Sequence, residues 1–394
     1  MKKRILFVIP SLDLGGAEKS LVTLLSLLDY ERLDVSLLTF RRGGTFYDMI
    51  PPEVNVIGGT EDYEIFDGDA RTAVKYFLKK GDFSAAVDRL RTVANYKNSD
   101  PYLREKKQWS YLEKRLPRIK EHFDAAIGYL EGNASYFVAD SVDADRKIFY
   151  FHSDFNEYGM GHEISRELFN KAYRVVAVTE KCRQELAENF PELADKFCVV
   201  RNITSKKILL ASAGNDPVFD RTDGKKIVLS VGRIAEAKAI DLAVKTCGEL
   251  KRRGCDFVWY HIGKGPLEEQ IRELINELGL RNDFILMGVK SNPYPYMNDC
   301  DIFAQTSKYE GKSIAIDEAK CFAKPIVVTN FPTVFDQITD GVNGLICQMN
   351  ENDIADKIEK LLSDEETGRM LSENLSAEKT GNEEELEKFY ELLR

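Results

Sequence analysis

Glu310 and Glu318 are two carboxylates with seven residues between them, in the run Ser307-Lys308-Tyr309-Glu310-Gly311-Lys312-Ser313-Ile314-Ala315-Ile316-Asp317-Glu318. The run reads as a tight turn feeding a helix over 314–322. Gly311 and Ser313 are small and let a ligand approach the backbone. The first amides of a helix have no partner within it, which makes a ready anion site. A diphosphate held there would lie between one carboxylate ahead of the helix and one about a turn and a half inside it. Carboxylates repel a diphosphate, so these two suit hydrogen bonds from sugar hydroxyls better. The combination fits a sugar nucleotide.

Other strand-to-turn junctions carry compatible chemistry, each with a plainer alternative. Gly15-Gly16 follows the first apolar run and permits close approach of a phosphate or sugar. It is not GxGxxG, which counts against a dinucleotide enzyme, and a simple tight turn explains it equally well. Arg233 and Lys238, five positions apart after a strand, suit a diphosphate clamp, Arg as a fork and Lys as a point charge. Such cations would stabilise the charge growing on a departing diphosphate. The alternative is two solvated surface charges. His261-Ile262-Gly263-Lys264-Gly265-Pro266 is a cleft loop or a structural turn. Gly288 and Val289 end a further strand, where backbone groups can pair with a base edge. His152 ends a strand and can hydrogen-bond a sugar or a reacting oxygen, against a purely structural histidine. Glu131 is open to an acceptor hydroxyl, a helix cap or solvent. Asp143-Ala144-Asp145 and Asp299-Cys300-Asp301 have the spacing of metal-binding triplets, but turn chemistry explains both.

These loops need a scaffold. The 394 residues suffice for two domains, and 43% hydrophobic with 30% charged residues is a globular composition. The apolar run 5–9 is too short for a signal peptide and reads as a buried strand. No stretch approaches membrane-spanning length, so the expected compartment is the cytoplasm. A net charge of -10 argues against a nucleic-acid partner. Seven scattered cysteines suggest buried reduced thiols, and four histidines without ligand spacing suggest no metal. Strands at 3–9, 33–38, 125–128, 147–152 and 174–178 alternate with helices, and 69–122 reads as a helical insertion. A turn-rich stretch at 205–224 reads as a linker. Strands at 226–231, 256–262, 283–287, 301–304 and 325–328 then resume the alternation. The pattern predicts an α/β protein with two doubly wound, Rossmann-like domains, 1–204 and 225–379, facing a cleft.

Taken in order, Gly15-Gly16, His152, Gly232-Arg233 with Lys238, Gly263-Lys264-Gly265-Pro266 and Glu310 to Ala319 resemble the retaining GT-B glycosyltransferases of family four, the group 1 glycosyltransferases. Lys324 to Thr329 and Gly341 to Leu345 strengthen the resemblance, which runs over nearly the whole chain. It implies that Glu318 accepts from ribose hydroxyls and that Glu310 holds the donor sugar near its reacting carbon. Arg233 and Lys238 would neutralise the diphosphate. Amides from Gly311, Lys312, Ser313 and Ile314 would hold sugar and phosphate. Gly16 would approach the diphosphate and His152 the donor sugar. The resemblance further implies no metal, a nucleotide donor that is most simply a UDP-sugar, and retention of configuration. In the usual proposal the departing diphosphate takes the acceptor proton, so the glutamates are not a glycosidase-type acid/base pair. A final helix, 380–394, would pack back on the first domain. Two departures stand out. Many members have Gly-Phe-Gly where this chain has Gly311-Lys312-Ser313, which puts the donor sugar in question. Many have Gly where this chain has Ala239, a small change.

The insertion ends in a basic stretch, 103–120, where Arg104, Lys106, Lys107, Lys114 and Arg115 interleave with Trp109, Tyr111, Leu112 and Leu116. A basic helix with aromatics can lie on an anionic membrane, and related enzymes often use lipid-linked acceptors at the inner membrane face. The alternative is a helix that packs Leu112 and Leu116 inward. The leading expectation is a glycosyltransferase building a bacterial surface glycan. A sugar-nucleotide epimerase on the same fold is a second reading, which a large insertion and few histidines disfavour. A non-catalytic sugar-nucleotide or glycan-binding subunit is a third.

Overall fold

The computed structural model describes residues 2–13, 15–95, 101–153, 155–158, 161–214, 216–221, 224–310 and 312–394, with side chains except at 101–103 and 157–158. The chain forms two compact units: Met1–Ile203 with Glu384–Arg394, and Thr204–Glu383.

Unit 1 is built on strands β1 (Lys3–Ile9), β2 (Leu33–Thr39), β3 (Asn55–Ile57), β4 (His122–Gly128), β5 (Asp143–Phe151), β6 (Arg174–Ala177) and β7 (Phe197–Val199). They pair in parallel in the order β3-β2-β1-β4-β5-β6-β7. The apolar run in β1 is explained by burial on both faces. Leu6 and Val8 point into one core, with Phe40, Phe66 and Phe137. Ile5, Phe7 and Ile9 point into the other, with Leu21, Leu24 and Leu25 of helix Gly16–Leu27. Helix Glu385–Leu392 closes this second core. Phe389 is fully buried and stacks on Phe7 with ring centroids 5.9 Å apart. Tyr390 Oη accepts the Asp29 amide at 2.9 Å, and Glu385 accepts the Arg201 amide at 3.0 Å.

The insertion in unit 1 holds helices Glu61–Asp67, Ala70–Lys80, Phe83–Asn95 and Pro101–Leu112. The membrane-surface reading of 103–120 does not hold. Trp109, Leu112 and Leu116 lie in the core, and Tyr111 packs partly buried against it. Lys106 pairs with Glu167, Lys114 with Asp88, and Arg115 with both Asp82 and Asp88. The apolar side chains that would enter lipid are already inside the protein.

Unit 2 carries β8 (Lys226–Val231), β9 (Phe257–Ile262), β10 (Phe284–Leu286), β11 (Ile302–Gln305), β12 (Ile326–Thr329) and β13 (Leu345–Cys347). They are parallel in the order β10-β9-β8-β11-β12-β13. The stretch 205–224 is not a free linker. Ser205 caps helix Lys206–Ala213 by accepting from the Ile208 amide, and Leu209 and Ala213 are buried. Asn292 holds the Ser212 carbonyl at 2.7 Å. Asp299 accepts the Val218 and Phe219 amides, each at 2.9 Å, and Asp301 accepts Arg221 at 2.9 Å. The second Asp-x-Asp triplet is therefore committed to holding this segment. Asn215, Thr222 and Asp223 of the expected linker lie outside the described residues.

Strand order reverses between β1 and β4 in unit 1 and between β8 and β11 in unit 2. Ligands of doubly wound sheets bind beyond the carboxyl ends of the strands at such reversals. In unit 1 the reversal places the loops 10–13 and 129–132 side by side, and in unit 2 the loops 232–239 and 306–310.

The Phe7–Phe389 stack predicts that the C-terminal helix is integral to unit 1. Truncating a buried phenylalanine to alanine costs about 3–5 kcal/mol. The chain has two tryptophans, Trp109 in unit 1 and Trp259 in unit 2, so each unit has its own fluorophore. Phe389→Ala should lower the urea midpoint read by Trp109 and leave the Trp259 transition in place. An unchanged Trp109 midpoint would refute the assignment.

Candidate functional site

In unit 2 the two loops at the strand reversal meet at Glu310. Its side chain is 13% exposed. Three donors converge on Oε1: the Lys238 ammonium, Gln305 Nε2 at 3.0 Å and Ser307 Oγ at 2.7 Å. Among the described residues Oε2 receives none of them. The Glu310 carbonyl accepts Thr333 Oγ1 at 2.8 Å, fixing the backbone behind the carboxylate. Lys238 reaches Glu310 because its own loop is tied down. Thr306 Oγ1 holds the carbonyls of Lys238 and Ala239 at 3.1 and 3.0 Å, and the Lys308 amide holds Ala237 at 2.7 Å. Ala239 sits in the left-handed region, φ 45°, as the cap of helix Ile240–Arg252. A glycine takes that conformation without penalty, whereas alanine strains it by about 1 kcal/mol.

Arg233 does not join this pair. Its guanidinium is exposed and has no partner among the described residues, as is the ammonium of Lys264 on the neighbouring loop. The two loops are locked backbone to backbone. Gly232 donates to Ile262 and Ile234 to Lys264, each at 3.0 Å. Gly263 has φ 148° and a Cβ there would sit 1.9 Å from the Gly232 carbonyl oxygen; one on Gly265 would sit 2.1 Å from that of Ile234. These glycines are therefore required by loop packing. The Gly288 carbonyl accepts the Gly263 amide at 2.9 Å, and the Lys264 stem lies over Gly288, leaving Val289 half-buried beyond it. His261 stitches the same region from inside the sheet. Its Nδ1 meets Ser230 Oγ at 2.8 Å and its Nε2 meets the Gly232 carbonyl at 3.1 Å. A carbonyl only accepts, so Nε2 carries the proton and Nδ1 accepts from Ser230. Trp259 Nε1 donates to Ser230 at 3.1 Å.

Glu318 lies deeper than Glu310. It is 2% exposed, in the middle of helix Ile314–Cys321, with Tyr294 Oη 3.2 Å from Oε1. Burial and this carboxylate push the Tyr294 hydroxyl well above the usual tyrosine range. Ser313 and Lys312 are not poised as the sequence suggested. Ser313 Oγ donates to Gln305 at 2.8 Å and caps the Ile316 amide, while the Ser313 amide donates to Gln337 at 3.0 Å. Lys312 pairs with Asp317 at 2.8 Å. Among the described residues the Lys312, Ile314 and Ala315 amides keep no acceptor, so the anion site loses only the Ser313 amide. Gly311 lies outside the described residues. Gln305, Ser307 and Gln337 were not signalled by any motif, because a single amide or hydroxyl at a strand end has no spacing signature.

Unit 1 offers a second set of polar groups. His152 Nε2 donates to the Tyr129 carbonyl at 3.1 Å, which leaves Nδ1 as an acceptor. Among the described residues that Nδ1 is buried without a partner. The His152 amide donates to Glu131 Oε1 at 3.1 Å, and Glu131 Oε2 is likewise buried and unpartnered, in a side chain 4% exposed. Burial holds the His152 imidazole below the ordinary histidine range. Tyr129 stacks on Tyr150 at 4.5 Å and bonds Ser20, which fixes this wall of the site. Buried groups lacking partners are expensive, and a ligand hydroxyl is one way of satisfying them. Asp154 lies outside the described residues. At Gly15 the backbone is extended and no side chain caps helix Gly16–Leu27. The Glu18 carboxylate instead folds over it, since a Cβ on Gly15 would meet Glu18 Oε2 at 1.9 Å. Burial, with Asp13 and Glu131 nearby, raises the Glu18 carboxyl. A phosphate approaching Gly15 and Gly16 would first meet a carboxylate.

Residues 215–377 match the family described as Glycosyl transferases group 1. The alpha-D-kanosaminyltransferase of Streptomyces kanamyceticus is 29% identical over 216 residues, 53% of this chain and 56% of that protein. The N-acetylgalactosamine-N,N'-diacetylbacillosaminyl-diphospho-undecaprenol 4-alpha-N-acetylgalactosaminyltransferase of Campylobacter jejuni is 27% identical over 62% of this chain and 66% of its own. The poly(ribitol-phosphate) alpha-N-acetylglucosaminyltransferase of Staphylococcus aureus is 28% identical over 72% and 61%. The chain thus spans between 56 and 66% of these relatives' lengths. Anabaena HepE in complex with UDP and glucose superposes with a TM-score of 0.67 at 17% identity, covering 99% of each chain. An S. aureus TarM mutant in complex with fondaparinux, alpha-GlcNAc-glycerol and UDP gives 0.67 at 18% identity, covering both chains fully. The fold is GT-B.

The His261 network makes unit 2 sensitive to acid. Burial lowers the imidazole to about 4, while an unfolded histidine titrates near ~6.5. Between those values the unfolded chain binds the extra proton, so stability falls as pH drops from about 6.5 towards 4. The effect by pH 4.5 is about 2–3 kcal/mol. Urea unfolding followed by Trp259, in a Trp109→Phe background, should show this loss, and His261→Gln should remove most of it. Equal slopes in the two proteins would refute the role.

Proposed function

We propose that the chain is a retaining glycosyltransferase moving a sugar from a nucleotide sugar, most simply a UDP-sugar, to a hydroxyl of a glycan or lipid-linked glycan. The observation that carries the reading is Glu310, a nearly buried carboxylate at the strand reversal of unit 2, with three donors on one oxygen and the other oxygen open to a ligand. Glu310 accepts from a donor-sugar hydroxyl through Oε2. Lys238 bonds Glu310 with one of its three ammonium hydrogens and keeps two for a phosphate oxygen. Arg233 and Lys264, exposed and unpaired among the described residues, meet the diphosphate and stabilise the charge that grows as it leaves. Glu318 anchors the ribose after Tyr294 yields its hydrogen bond. In unit 1, His152 Nδ1 and Glu131 Oε2 are suited to accept from sugar hydroxyls. The diphosphate takes the acceptor proton, so no protein base is required.

The relatives support the class and direction of the chemistry. All three carry names for alpha-linked transfer, which fits retention from an alpha-linked nucleotide sugar. One is named for a diphospho-undecaprenol-linked acceptor and one for poly(ribitol-phosphate), which supports a glycan or lipid-linked acceptor in polysaccharide synthesis.

A panel of nucleotide sugars, read by slow release of free nucleotide, tests the proposal. Glu310→Gln should lower release from the preferred donor roughly 100-fold, the scale of one lost transition-state contact. Unchanged release would remove Glu310 from the site. Arg233→Ala should weaken UDP binding about tenfold without altering sugar preference; equal UDP affinity would sink the clamp. Since three cations surround the diphosphate, EDTA should leave release unchanged, and its abolition would call for a metal in the scheme.

A further inference from the structure

The helical insertion of unit 1 leaves one apolar face without a partner. Helices Ala70–Lys80 and Phe83–Asn95 form a hairpin, turned at Gly81 in the left-handed conformation. Their inner residues Ala73, Phe77, Ala85 and Ala86 are buried. Their outer face exposes Leu78, Phe83, Val87, Leu90 and Val93, at 43 to 67% of their surface. An open groove of about 750 Å³ runs between the helices, with Leu78 on one side and Leu90 and Val93 on the other. Five exposed large apolar residues on one hairpin are more than the scattered singles expected of a surface.

Charge around the groove is one-sided. From 70 to 95 the chain has six Arg or Lys and two Asp, against a net charge of -10 overall. Both acids are engaged by Arg115, and Asp88 is 3% exposed. Arg71, Lys75 and Lys79 repeat every four residues, one exposed stripe along the groove. Arg71 has the Asp69 cap carboxylate nearby, and Lys75 and Lys79 have no partner among the described residues. An apolar face rimmed by exposed cations has the composition of an interfacial helix. A second copy meeting it face to face would set like charge against like charge. We propose that this hairpin docks the protein on an anionic lipid surface: Phe83, Val87 and Leu90 enter the acyl boundary while Arg71, Lys75 and Lys79 reach the headgroups. The surface differs from 103–120, whose apolar residues face the core, and the inference does not rest on the transferase reading.

Co-sedimentation of the full chain with phosphatidylcholine vesicles, with and without phosphatidylglycerol, tests it. Partitioning should be roughly tenfold stronger on the anionic vesicles and weaken as salt rises. Lys75→Glu with Lys79→Glu should abolish the anionic preference, and Leu90→Asp should lower binding roughly tenfold to either vesicle. Both changes lie on exposed positions, and unchanged Trp109 unfolding certifies the fold. Nucleotide release from soluble donor should stay at the wild-type rate in both variants, which separates docking from chemistry. Equal binding to the two vesicles, or anionic binding unaffected by the lysine changes, overturns the proposal. So does a concentration-dependent dimer that Leu90→Asp dissolves, since the face would then belong to a second copy.

Discussion

A carboxylate that is nearly buried stays in place only if something neutralises it. Glu310 is that group, and much of unit 2 is arranged around it. Lys238 supplies the charge, and Gln305 and Ser307 supply neutral donors to the same oxygen. Each partner is itself held. Thr306 and Lys308 fix the loop that carries Lys238, and Thr329 on β12 bonds the Ser307 carbonyl at 2.6 Å. Three sequence segments therefore have to be in register before the carboxylate is satisfied. The parallel pairing of β8, β11 and β12 is what brings them into register. Loss of Lys238 would leave a carboxylate with neutral donors only, so its removal damages the site twice, through charge and through position.

The two units treat charge oppositely. At the reversal of unit 2, Arg233 and Lys264 are exposed cations, unpaired among the described residues. At the reversal of unit 1, Glu131 and Glu18 are desolvated carboxylates, with Asp13 near the second. Unit 2 is thus suited to an anionic ligand, and unit 1 to one rich in hydroxyls. The glycine turn of unit 1 resembles a phosphate loop in sequence but is filled by Glu18. A helix start is an anion site only while no anion of its own occupies it.

Much of the fold was legible because parallel strands covered on both faces must be apolar runs. β1 and β8 fall at 3–9 and 226–231, where the sequence placed them. The strands not foreseen, β3, β7 and β13, have three residues each and all lie at the ends of their sheets. Three residues carry no readable alternation. The linker reading failed because Pro, Gly and Asp mark turns whether or not a turn separates domains; Asp299 and Asp301 anchor the stretch from far along the chain. The basic stretch 103–120 misled for a related reason. Its cations could not be known to face Glu167, Asp82 and Asp88 until the helices were folded. In the site, charged residues announced themselves, whereas Gln305, Ser307 and Gln337, which position them, did not.

Lys312 and Ser313 show how position outranks type. Read as sequence, they replace residues next to the donor sugar and suggest new contacts to it. In the folded chain Ser313 Oγ bonds Gln305 Oε1, and the Gln305 amide nitrogen bonds Glu310. The hydroxyl thus fixes which way the Gln305 amide points, because an oxygen held by Ser313 leaves the nitrogen for the carboxylate. Lys312 neutralises Asp317, which Gln337 Nε2 also holds at 2.8 Å while clamping the Ser313 backbone. Both residues therefore bear on a ligand only through the pose of Glu310 and the helix start. A chain with phenylalanine and glycine at these positions would have to orient its amide by other means, so the departure from that pattern concerns how the carboxylate is aimed.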